Sequence, residues 1–441
     1  MTTLTAKPLT AKPLTARPLT AYGLGESTDG ANQLVWHALA ANSSGVITDQ
    51  LKGFGTPTWA HTSSLLLPDY QGVYRTIGAG EAPIVGARWV GGVPYATDEL
   101  GDPLTDWWFQ CQPSYTNSAT YSNDLTNAVW TKTTASAALD AIGITGAPNT
   151  ATTLTDASGV VIGNATRTIA GLSGAAFTAD IMVLKEDDET SFPDFDIGGK
   201  SFRFNKKTGD YALRGGTPTV EVEDLGTWWR IYVSDTAAGG AIYCSPAVTA
   251  VWGTATQAAA QGSVVVGNYA IHIGKTIAQV RGSAPIITAA STVSTTAVYG
   301  TFDIANHSDT KGAYMASVKK VLSSAEQAAN AAGGQIIAGN RLYYADSSAA
   351  HSANDGTTTV SVTDTWAADA TVKVGVAYQD GGNMVAVQDG TAGTPDSYDG
   401  DWSATFTIGA SANKAPILIK DVRRYNLSYT AGLAKLLEIT A

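Results

Sequence analysis

Residues 120–132 read TYSNDLTNAVWTK, a polar, turn-rich stretch bracketed by Tyr121 and Trp130 that comes just before a long series of short strands. Downstream, 177–184 (FTADIMVL), 201–204, 228–233 (WWRIYV) and 263–273 (SVVVGNYAIHI) recur between Gly, Asp and Pro turns. Short β-branched and aromatic runs at such regular spacing predict a sandwich or jelly roll over 120–287. The rest of the chain agrees with this reading. In 441 residues only 15% are charged, Gly and Thr are abundant, and Val, Ile, Thr and aromatics recur in short runs broken by turn residues, which is the composition of an all-β, turn-rich protein.

Working toward the C-terminus, 288–296 (TAASTVSTT) reads as a Ser/Thr linker, and a second β-sandwich is expected over 297–441. Within it, 372–378 (VKVGVAY) and 383–388 (NMVAVQ) flank Gln379-Asp380-Gly381-Gly382, a hairpin whose turn residues tolerate positive φ. A strand at 416–425 precedes an amphipathic helix over 427–437 with Ser428 as N-cap. A shorter helix is expected from Ser324, stopping before Gly333.

Working toward the N-terminus, residues 4–21 repeat every five positions (LTAKP, LTAKP, LTARP, LTA). Pro8, Pro13 and Pro18 forbid a continuous helix. Two readings stand for 1–21. One is a disordered linker; the other, favoured because a linker needs no identical repeats, is an extended arm docking in a groove. In the docked reading Leu9, Leu14 and Leu19 are pegs, and Lys7, Lys12 and Arg17 meet an acidic rim. Residues 22–119 then read as an anchoring region. The aromatic knot Trp107-Trp108-Phe109 at its end suits inter-domain packing, with a sugar platform as the alternative.

At this point the motifs resemble a known family. Tyr121-Ser122-Asn123-Asp124 with Asn127 and Trp130-Thr131-Lys132 resembles the start of the carbohydrate-binding-module-like jelly roll of tailed-bacteriophage fibre and virion proteins. Gly174 with Phe177-Thr178 and Val183-Leu184-Lys185 is similar to a later strand of that family. So are Gly226 with Trp228 to Ser234, and 268–274 (NYAIHIG), although Gly274-Lys275-Thr276 replaces the usual closing motif. The C-terminal region resembles the laminin-G or concanavalin-like sandwiches appended to such proteins. This resemblance implies a structural virion protein, a head or tail fibre, made in the bacterial cytoplasm and carried on the particle. Its partners would be other virion proteins and a host-surface glycan, and it would be a homotrimer.

Chemistry is sparse. Concanavalin-like glucanases place two carboxylates on one strand face, and no such string occurs; Glu221-Val222-Glu223-Asp224 lacks the spacing and reads as a solvated edge. His37, His61, His272, His307 and His351 form no metal-ligand pair. No enzyme is expected, and the alternative of a capsule depolymerase requires paired carboxylates that the pattern lacks. Sugar binding needs flat aromatic faces with polar neighbours. Trp228 and Trp229 point to opposite faces of one strand, one into the core and one outward as a platform. Trp252, Tyr343, Tyr344 and Trp402 are further candidates. Asp194 and Asp196 in SFPDFD fit either a structural calcium site or a simple turn; no other cofactor is implied. A structural decoration or tail-assembly part without a glycan site is the competing function.

Cys111 and Cys244 read as free thiols. The net charge of -11 argues against nucleic acid and anionic lipid. No secretion leader or membrane span is read.

Overall fold

A computed structural model describes residues 34–38, 40–41, 47–48, 58–187, 190–249, 251–252, 257–303, 310–330, 333–337, 341–344, 350–400, 405–410 and 413–441. The chain is all-β, and its central part, the segment read above as a jelly roll, is a β-sandwich of two six-stranded antiparallel sheets. The first, here the Tyr243 sheet, runs Thr131–Thr133, Asn164–Thr168, Ala241–Ser245, Asp194–Ile197, Lys200–Phe204, Tyr211–Gly215. The second, the Arg230 sheet, runs Ala135–Ala141, Ala151–Asp156, Gly262–Ile273, Ala176–Leu184, Trp228–Thr236, Thr219–Asp224. Alternation along each strand decides which side chains meet. Phe177, Ile181, Val183, Trp229, Ile231 and Val233 of one sheet pack on Phe195, Ile197, Phe202, Phe204, Ile242 and Cys244 of the other.

The stretch 120–130 is not a strand. Three consecutive turns shape it, with Asp124 N donating to Tyr121 O, Asn127 N to Asp124 O and Trp130 N to Asn127 O. The turns deliver Leu125 and Trp130 into the jelly-roll core at 0% exposure. Trp130 Nε1 donates back to Tyr121 O at 3.0 Å, and Lys132 Nζ caps the carbonyls of Thr126 and Asn127 at 2.9 and 3.0 Å. The motif is therefore a plug that closes one side of the sandwich.

The outer face of the Arg230 sheet is covered by chain from outside it. Tyr74, Leu66, Leu225 and Ile287 surround Trp228, while Tyr115, Ile277, Val280 and Ile286 surround Tyr232. Between the two lies a buried ion pair: Arg230 donates to both carboxylate oxygens of Asp180 at 2.9 and 2.8 Å and to Ser283 O at 2.9 Å.

The C-terminal sandwich joins a nine-stranded and a seven-stranded sheet. Its hairpin Thr371–Gln379/Gly382–Gln388 turns on Asp380-Gly381, with Gly381 at φ 64. The helix Tyr429–Thr440 has Ser428 at its N-cap position, without a side-chain capping bond, and covers Ala313, Met315, Ala377, Val385 and Val387. The shorter helix is Ser324–Ala329, with a Ser323–Glu326 capping box and Asn330 rather than Gly333 at its end.

Residues read as an anchoring region complete this sandwich. Leu34–Ala38 and Trp108–Cys111 both pair with Ile417–Tyr425, and Thr58–Trp59 pairs with Gly300–Asp303. Trp59, Ile84, Trp107 and Phe109 lie in one core with Tyr314, Val376 and Ile419. The second sandwich thus draws on residues before 120 as well as after 292, and the jelly roll is inserted into it. Entry strand Tyr115–Asn117 and exit strand Val293–Thr295 pair with each other, so the stretch read as a Ser/Thr linker ends in a β-ribbon. Arg281 adds a clamp, contacting Glu221 of the jelly roll and Glu326 of the second sandwich, each at 2.8 Å.

Inside the second sandwich a polar relay crosses the core. Lys320 Nζ lies 2.9 Å from His351 Nε2 and 3.0 Å from the Trp366 ring centroid. His351 Nδ1 bonds the Gln388 side-chain oxygen, and Gln388 Nε2 donates to Asp364 at 3.1 Å. Burial, reinforced by the Lys320 charge, holds the His351 pKa well below its usual value, and burial likewise depresses Lys320. The unfolded chain therefore takes up protons at both groups before the folded chain does as pH falls, and stability drops with acidification. Burial raises the nearby Asp389 carboxyl, which opposes this trend only in the carboxylate range. We expect the melting temperature to fall as pH is lowered from about 6.5, each such group contributing at most about 1.4 kcal/mol per pH unit. Calorimetry of His351→Gln should show a shallower slope than the parent chain; an unchanged slope would refute the assignment.

Candidate functional site

The strand Ala241–Ser245 reads AIYCS. Ile242 and Cys244 are fully buried, so alternation turns Ala241, Tyr243 and Ser245 to the outside, where Tyr243 is 38% exposed. Register places Thr166 on one side of Tyr243 and Asp196 on the other, with Ser201 opposite Asp196. A row of Thr166, Tyr243, Asp196 and Ser201 therefore crosses four strands at roughly 4.8 Å per step. It forms a shelf with an aromatic ring in its floor and hydrogen-bonding groups on both sides.

One step along the strands stands a wall. Asp194 accepts from Arg203 Nε at 2.9 Å, from Gln257 Nε2 at 3.1 Å and from the Arg214 guanidinium. The wall is rigid because Asp194 and Arg203 are both buried. Asp196 Oδ1 accepts from Gly199 N at 2.8 Å across a tight turn whose two glycines, Gly198 and Gly199, sit at φ 61 and 86. Burial raises the Asp196 pKa, while the Gly199 bond and the Arg214 charge pull it down.

The expectation of calcium at Asp194 and Asp196 does not fit these partners. Two guanidiniums and an amide already fill the Asp194 carboxylate with donors, and a cation beside them would meet like charge. The turn reading describes Asp196. Among the described residues no group of three or more His, Cys, Asp or Glu side chains is placed to hold a metal.

Of the aromatic candidates read from the sequence, the fold uses Trp228 and Trp229 for packing. Trp229 lies in the jelly-roll core, its Nε1 donating to Lys206 O at 2.7 Å. Trp228 does face outward from the sheet, as alternation requires, but Tyr74 and Leu66 cover it and leave it 7% exposed. Neither ring is a platform. Trp252 is half-buried and tilted onto Phe192, with centroids 5.2 Å apart. Tyr343, half-buried, lies on the seven-stranded sheet opposite Ser352 and Gln335. The Tyr344 side chain, Trp402 and the arm residues Lys7, Leu9, Lys12, Leu14, Arg17 and Leu19 lie outside the described residues. Tyr243 is an exposed aromatic in mid-sheet that the sequence candidates do not include, although its strand carries the signal: buried Ile242 and Cys244 alternating with one ring.

Cys111 and Cys244 are free and buried. Burial pushes the Cys111 thiol up to about 12 and the Cys244 thiol higher still, so neither offers a thiolate near neutral pH.

No family model matches the chain. No curated protein matches it either. Among solved structures, the binding domain of botulinum neurotoxin DC in complex with rat synaptotagmin II is 12% identical with a TM-score of 0.25, covering 33% of this chain and 40% of that one. A structure described as HCR/D-Sa-GBL1/C is 11% identical, again with a TM-score of 0.25, over 33% of this chain and 41% of that one. The matched part is less than half of those chains, and superposition this loose carries no functional argument.

Proposed function

We propose that this chain is a non-enzymatic structural protein of a tailed-bacteriophage particle, a head or tail fibre whose jelly roll binds a host-surface glycan. The observation that carries the binding part is the Tyr243 shelf, an exposed ring between Thr166 and Asp196 on a rigid sheet. A ring of this kind meets the apolar face of a pyranose while its neighbours bond the hydroxyls. The virion assignment rests on the family resemblance of 120–132 and the later strand motifs. In this reading the LTAKP arm fixes the protein to other virion proteins, and the appendage is a homotrimer on the particle.

Tyr243→Ala tests the binding part. Because the ring is exposed, the variant should melt with the parent chain, and its affinity on a glycan array or in affinity electrophoresis should fall about tenfold or more. Undiminished glycan binding would remove the shelf from consideration. A second reading, a decoration or tail-assembly protein without a glycan site, draws on the burial of Trp228 and Trp229. It predicts no glycan signal at all and no change in host-cell binding in Tyr243→Ala. Imaging of the intact particle tests the attachment: globular domains seated on the virion with free N-terminal arms would overturn the anchoring role.

A further inference from the structure

Resting on the reading of the Tyr243 shelf as a sugar site, we infer that it selects a neutral hexopyranose and discriminates against uronate- and sialate-bearing glycans. The guanidiniums beside the shelf are held back from it: Arg203 and Arg214 converge on Asp194, with side chains only 1% and 15% exposed. What faces the ligand with spare capacity is an acceptor: Asp196 gives Oδ1 to Gly199, and its Oδ2 has no donor among the described residues. An ionised carboxylate accepts and does not donate, so it rewards a ligand that supplies O–H groups.

Hydroxyls of a neutral pyranose lying on Tyr243 meet that requirement, because Asp196 is the ring's direct cross-strand neighbour. A ligand carboxylate in the same place opposes Asp196 and finds both wall guanidiniums already turned to Asp194. Thr166 on the other flank does not offset this, since its hydroxyl donates to Ile242 O at 3.2 Å and so faces the ligand as a second acceptor.

The full chain is titrated with a soluble glucan, a galactan and a mannan as neutral probes, and with alginate and polysialic acid as acidic ones. At least one neutral probe should bind, with both acidic probes at least about tenfold weaker. Asp196→Asn keeps a side-chain oxygen for Gly199 N, so the melting temperature should hold. The variant should bind the neutral probe about tenfold more weakly, and the gap to the acidic probes should narrow. Acidic probes that bind as tightly as neutral ones, through a site that Tyr243→Ala abolishes, would overturn the inference and leave the sugar site standing. If Tyr243→Ala binds every probe like the parent, or if no probe binds the parent, the reading of the shelf fails and takes the inference with it.

Discussion

Asp180→Ala is expected to destabilise the protein by about 3–5 kcal/mol, because it strands the Arg230 guanidinium in a dry interface. Both side chains are almost fully buried, 3% and 1% exposed, between the Arg230 sheet and the chain that covers it. Burial alone lowers the Arg230 pKa, but Asp180 at bidentate distance outweighs it, so the guanidinium is held well above its usual range. Once the carboxylate is removed, the neutral Ser283 O and Tyr74 hydroxyl are left to meet the guanidinium, and neither can replace an ion pair. The paired change Asp180→Leu with Arg230→Met removes both charges and fills the space, and should cost much less than the single substitution. Denaturant unfolding of the parent chain and these two variants decides. A single-variant loss below about 1 kcal/mol, or a double variant no better than the single, would show that the pair is not the charge lock described.

The same interface explains why some features were readable from the sequence and others were not. The jelly-roll strands were legible because their alternation is local: in Ala176–Leu184, Phe177, Ala179, Ile181 and Val183 face the core from one side. The hairpin at Asp380-Gly381 and the helix after Ser428 were legible for the same reason, since turn residues and helical apolar spacing both show within a few residues. The insertion was not. Cys111 pairs opposite Ile417, and Thr58 opposite Thr301, and neither partner leaves a trace in the other's neighbourhood along the chain. Trp228 failed as a platform for this non-local reason, because the ring covering it comes from Tyr74. Alternation put one of Trp228 and Trp229 outward, and the fold makes it Trp228, but whether an outward face meets water or another layer is decided by tertiary pairing. Tyr243 was within reach of the alternation argument, but the short strand Ala241–Ser245 that carries it was not among the strands read from the sequence.

Trp130→Ala is expected to cost the jelly roll about 3–5 kcal/mol, the range for removing a large aromatic from a packed core. The indole is fully buried, tilted against Tyr269 at 5.8 Å between centroids, with the Arg167 guanidinium 6.0 Å from the ring. The loss extends beyond the cavity. Trp130 Nε1 holds Tyr121 O, Arg167 holds Thr120 O, and Lys132 caps the turn carbonyls, so the indole is the apolar anchor of a polar loop that cannot stay docked without it. Trp130→Phe separates the two contributions. It retains most of the buried area and loses the Nε1 bond, for which about 1 kcal/mol is expected beyond the loss from reduced packing. Hydrogen exchange across 120–133 should accelerate strongly in the alanine variant and modestly in the phenylalanine variant, while the second sandwich keeps its protection. Equal acceleration throughout both sandwiches would mean that the inserted domain and its host unfold as one unit, with the Arg230–Asp180 lock and the Arg281 clamp transmitting the loss of the plug.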